Sequence, residues 1–192
     1  RGVASRALGR VTDAESAYRE AIALYPDYPD AWQNLGNLLA ASGRFAHAAD
    51  AYEHAAQGRP TAAEKANVLV LLAGAAFSAG EVKAALSALE RAVALAPESG
   101  AVHNQLGKVL WELGHTQASI DAFRKAAHCA PADALYATNL LLVSQFSETA
   151  TEPELSALAR MAAERVEQGV PVALKESFVS PAWKPGERIR VG

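Results

Sequence analysis

Five histidines and one cysteine are the residues of this chain best suited to metal binding or nucleophilic chemistry, and their spacing supports neither. His47, His54, His103, His115 and His128 form no H-x-x-x-H pair, and Cys129, next to His128, has no second ligand pair at a useful distance. Cys129 falls at the end of an expected helix, where the backbone dipole raises a thiol pKa. No glycine-rich phosphate loop and no Gly-x-Ser-x-Gly elbow occurs. The segment is therefore expected to carry no catalytic residue, no metal and no cofactor. What remains is recognition by side-chain amides and aromatic rings, which requires elements that hold them on one surface.

Composition says what those elements are. At 192 residues the chain suffices for one compact domain or a short repeat array. With 51% hydrophobic and 20% charged residues it is not a disordered tail. A net charge of -3 offers no basic stripe, so no nucleic-acid partner is expected. The longest apolar runs, such as 68–73, are too short to cross a bilayer, so no membrane partner is expected either. A single cysteine excludes an internal disulfide framework and suits a reducing compartment, so a cytoplasmic location is expected. The chain begins at Arg1 without a methionine, which leaves targeting open.

The strongest signal is internal repetition. Gly9 and Gly43 lie 34 apart, as do Gly80 and Gly114, Pro26 and Pro60, and Pro97 and Pro131. The phase slips by three residues near 63–65. In this frame a small position reads Ala14, Ala48, Ala85 and Ser119, and four residues later come Tyr18, Tyr52, Leu89 and Phe123. Apolar residues at helical spacing make each unit a pair of antiparallel helices. Gly43, Gly80 and Gly114 occupy the turns, and Pro60, Pro97 and Pro131 end the second helices. Gly36 and Gly107 remove a side chain where paired helices cross nearest, with Ala48 and Ser119 small opposite them. Thr61-Ala62-Ala63-Glu64 is a capping box, so the slip predicts a longer first helix in that unit with no break in the stack. One pair cannot bury its own apolar face, so the units must stack.

This pattern resembles the tetratricopeptide repeat, W-x2-L-G followed by Gly, Ala, aromatic, Ala and Pro. Trp32-Gln33-Asn34-Leu35-Gly36 fits as it stands, and His103-Asn104-Gln105-Leu106-Gly107 fits with His in place of Trp. The resemblance implies an all-α, right-handed superhelix, an α-solenoid, over residues 1–133. Its units are a partial repeat at 1–28 and repeats at 29–62, 66–99 and 100–133, with a degenerate repeat or capping helices at 134–169. In such arrays the first helices line a concave groove that takes extended protein segments. The groove residues expected by position are Gln33, Asn34, Asn37, Asn104, Gln105, Lys108 and Asn139, with Val70, Leu71 and Gly74 between them. Amides at Asn34, Gln105 and Asn139 suit the backbone of an extended peptide, each offering a donor and an acceptor. Alternatively they are merely solvated. Lys108 alone is basic among these positions, which argues against a carboxylate clamp. His103 takes the packing place of Trp32 and is expected to be structural. Phe77, Trp111 and Trp183 are either binding anchors or packing residues.

After Pro131 the period fails. Residues 133–146 still read as a helix, and Thr151-Glu152-Pro153-Glu154 opens another that runs to about Gln168, a pair expected to form a polar-faced cap. Residues 170–192 read as a linker, and Arg188-Ile189-Arg190-Val191-Gly192 alternates like the first strand of a following domain. The order Asn139-Leu140-Leu141-Leu142, Pro153-Glu154-Leu155, then this strand resembles bacterial relatives of the SPINDLY and protein O-linked N-acetylglucosamine transferase family. That resemblance implies that the chain is the substrate-recognition arm of a protein O-glycosyltransferase. A UDP-sugar donor and a catalytic domain would lie beyond Gly192. One departure is that residues 160–165 carry neither His nor Trp. The alternatives are a stand-alone adaptor for assembly or secretion and an array fused to a different enzyme or regulator. A homodimer through outer surfaces stays open.

Overall fold

The structure, a computed structural model, describes residues 11–169. The first ten residues, the linker with Trp183 and the strand expected at 188–192 lie outside the described residues. The described chain is nine helices: α1 Val11–Leu24, α2 Pro29–Ala41, α3 Phe45–Gln57, α4 Ala62–Ser78, α5 Val82–Leu95, α6 Gly100–Glu112, α7 Thr116–Cys129, α8 Ala134–Ser144 and α9 Glu152–Gly169. Each packs on its chain neighbours, which makes an all-α solenoid.

Local chemistry sets the helix ends. After α2, α4 and α6 the chain turns through Gly43, Gly80 and Gly114 at φ of 73°, 83° and 76°, where any Cβ is strained. The next N–H then reaches back over the helix end: Arg44 to Leu39, Glu81 to Ala76 and His115 to Leu110, each across 2.9 Å. At the start of α4, Thr61 Oγ1 accepts from the Glu64 N–H while Glu64 accepts from the Thr61 N–H, so the capping box is complete. Asp133 caps α8 by accepting from the Leu135 N–H at 2.9 Å.

The core runs from Ala14 to Val109 without interruption and is largely alanine, with Leu69 and Leu89 as its largest fully buried apolar side chains. A second cluster of Ile120, Phe123, Ala127, Leu140 and Val143 binds α7 to α8. Each buried leucine contributes about 1.5–3 kcal/mol, and alanine lets the helices approach closely enough to exclude water between them. Where helices cross, Ser119 stands opposite Gly107 as expected, and at both crossings a ring fills the space the glycine leaves. A Cβ on Gly36 would meet the ring of Tyr52 at 2.7 Å, and one on Gly107 the ring of Phe123 at 2.9 Å. The aromatic four residues after the small position fills the space. Ser119, fully buried, donates to the Gly107 carbonyl at 2.8 Å.

The phase slip lies in α4, 17 residues long against 13 for α2 and α6. The core continues across it through α3 and α4. On the inner side, however, α6 reaches α4 and α8 reaches α6, while α4 and α2 meet less closely. A cleft of about 450 Å3 lies there, lined by Gln33, Arg59, Glu64, Asn67, Val68 and Leu71.

Candidate functional site: the inner face of the first helices

Of the seven groove residues read from the sequence, four already hold partners. Asn37 accepts from the Tyr52 hydroxyl at 2.8 Å, and Asn104 accepts from the Asn139 amide at 2.8 Å. Gln33 accepts from Arg59, whose guanidinium also pairs with Asp30 at 2.8 Å. Asn34 and Gln105 hold the same place in their units, and no side-chain bond within the described residues occupies either amide. Both are half-buried, and Lys108 is exposed one turn beyond Gln105. Leu71, between them in the array, is exposed.

The structure gathers Gln105, Lys108 and Asn139 into one cleft of about 500 Å3 across α4, α6 and α8. Gly74 matters to its shape, because Gln105 Nε2 lies 3.4 Å from where a Cβ on Gly74 would be. Phe77 and Trp111 form apolar walls, both half-buried, so each packs and also faces the cleft. Trp111 tilts against Phe146 with ring centroids 5.0 Å apart. Lys108 and Glu112 are its charges, and neither joins an ion pair among the described residues.

Three features were missed at the sequence level. Arg59 follows the end of α3, so no first-helix position pointed to it. Leu142 and Phe146 stand at inner-face positions where the expected polar cap would carry polar residues, yet they are 54% and 60% exposed. Their spacing from Asn139 was a signal in plain view.

Among the other chemistry-bearing residues, His103 and His54 pack within the fold. His103 is buried and its Nε2 bonds the Pro97 carbonyl at 2.6 Å, which repeats the bond from Trp32 Nε1 to the Pro26 carbonyl at 2.7 Å. His54 stacks on Trp32 at 4.3 Å. Partial burial and then the Glu98 carboxylate, 3.7 Å away, push the Cys129 thiol above its ordinary range. The direction agrees with the sequence reading, while the leading cause is burial. Among the described residues no three His, Cys, Asp or Glu side chains form a metal-binding group. No described helix is long and apolar enough to cross a membrane.

Comparison with known proteins follows the geometry. A crystal structure of MamA superposes with a TM-score of 0.73 over 87% of this chain and 95% of that one, at 23% identity. MamA from Desulfovibrio magneticus RS-1 gives 0.66 over 93% of each chain at 19% identity. YrrB, described as a TPR protein with an unusual peptide-binding site, gives 0.63 over 92% of this chain and 89% of that one at 17% identity. These likenesses show the shared fold. No curated protein matches the chain. The tetratricopeptide repeat profile matches residues 1–66 and 70–134, and with the glycine turns, paired helices and stacked core described above, the chain belongs to the tetratricopeptide repeat family.

Proposed function

We propose that the inner face binds an extended segment of a partner protein. The observation that carries this reading is the pair of uncommitted amides, Asn34 and Gln105, at one repeat position on α2 and α6. Each can donate to a peptide carbonyl and accept from a peptide N–H. The structural likeness to YrrB, described as having a peptide-binding site, supports it. Selection of a random peptide library on the whole chain supplies the ligand. Replacing Asn34 and Gln105 by Ala should then weaken binding by about 0.5–1.5 kcal/mol per lost hydrogen bond. Unchanged affinity in a stably folded double variant would remove the amides from the site.

The finer reading is that this face selects Ser/Thr-containing substrates for a protein O-glycosyltransferase, with the UDP-sugar and catalytic residues beyond Gly192. It is supported by the sequence resemblance over about residues 134–192 alone. Binding of UDP by a chain continued past Gly192 tests it, and its absence leaves the adaptor reading and fusion to a different enzyme or regulator.

A further inference from the structure

Leu135, Asn139 and Leu142 fall within about 60° of one another around α8, and Phe146 follows in the turn just past its end. The three apolar members are 56%, 54% and 60% exposed. They repeat on α8 the positions that Ala101, Gln105, Lys108 and Glu112 hold on α6. There the first, third and fourth remain exposed although α8 packs alongside. The corresponding residues of α4, Asn67, Leu71 and Ser78, are exposed as well, apart from the half-buried Gly74. Stacking of a further unit therefore does not cover these positions, and the α8 stripe is not an unfilled repeat junction. It is a solvent-facing line where α6 carries two charges and α8 carries leucine and phenylalanine.

The chemistry of the stripe selects its occupant. Its one polar side chain, Asn139, already donates to Asn104. An extended segment lying on it would find almost nothing to pair with its backbone N–H and C=O groups, which is costly when they are buried. A helix arrives with those groups already satisfied and presents apolar side chains at matching intervals. α8 itself carries no charge, while Lys108 and Glu112 border the stripe one helical turn apart. We propose that the stripe docks an amphipathic α-helix of a partner protein. Its apolar face meets Leu135, Leu142 and Phe146, and an acidic and a basic residue one turn apart on its flank meet Lys108 and Glu112. This rests on the inner face being a binding surface, but on residues other than the amides that bind extended segments.

The test uses the whole chain and a fluorescent amphipathic peptide of about 18 residues. It carries leucines at helical spacing and a Glu–Lys flank. Two controls are a charge-exchanged copy and a copy broken by a central proline. Anisotropy should show micromolar binding that L142D and, independently, F146A weaken at least about tenfold without changing the thermal melt. Asn34→Ala should leave it unchanged while weakening the extended ligand, so either reading can fail alone. Equal binding of the proline copy or of the charge-exchanged copy, or no binding below about 1 mM, overturns the proposal. Self-association of the chain that L142D abolishes also overturns it, in favour of a second copy on the same stripe.

Discussion

Gly36 exists to admit Tyr52. The ring lies where a Cβ would stand 2.7 Å away, and the hydroxyl continues past it to Asn37. Tyr52 is buried, which pushes its hydroxyl pKa up, so it acts as a donor through the neutral range. The contact is with the middle of the ring, which has no flexible end to swing aside. Gly36→Ala is expected to cost about 1–3 kcal/mol by overpacking, seen as a lower melting temperature with helix content retained. A melt equal to the parent's would show that α2 and α3 can separate freely.

Ser119 tests the corresponding crossing in a different way. Its hydroxyl has one partner, the Gly107 carbonyl, in a site with no exposure. Ser119→Ala should destabilise by about 0.5–1.5 kcal/mol in urea unfolding, because the small volume is kept and only the bond is lost.

His103 and Trp32 share one role, tying the start of a first helix to the proline carbonyl six residues earlier. His103→Ala should cost about 2 kcal/mol or more, combining a cavity with a lost bond. His103→Phe keeps the volume and should recover part of the loss. Equal melting of both variants would assign the whole effect to the hydrogen bond.

Glu53 and Arg91 join α3 to α5 on the outer side through two hydrogen bonds of 2.9 Å. The Arg91 bond, opposed by partial burial, holds the Glu53 carboxyl below its ordinary 4.5. A depressed folded-state pKa stabilises the fold above the unfolded value and loses that contribution as pH falls through the folded one. Glu53→Gln is therefore expected to lower stability by about 0.5 kcal/mol near neutral pH, since both side chains are over a third exposed. The gap between variant and parent should close as pH falls below the unfolded carboxyl value and through the depressed folded one. A gap that widens with acid would reverse the assigned sign.

The repeat period made the helices, their glycine turns and the longer α4 legible, because these follow from local rules of spacing and capping. It named Gly36 and Gly107 as close crossings and Ser119 as facing Gly107, but not the rings of Tyr52 and Phe123 as what fills the space. Spacing places a residue on a face without saying which way a ring leans. The groove amides were placed by register alone. That Asn139 spends its donor on Asn104, or that Arg59 swings from the end of α3 to Asp30, depends on neighbours 35 and 29 positions away. The apolar line on α8 went unread because a terminal pair is expected to be polar.

The loose place in the inner row, where α4 leans on α3 far more than on α2, has a mechanical side. A curved stack resists bending through struts on both its inner and outer sides, and here one inner strut is weaker than the others. Flexing should concentrate at that joint, and the radius of the superhelix should adjust there first. Spin labels on α2 and α4 would then report a broader distance distribution than labels on α4 and α6. A ligand lying along the whole inner face would narrow it.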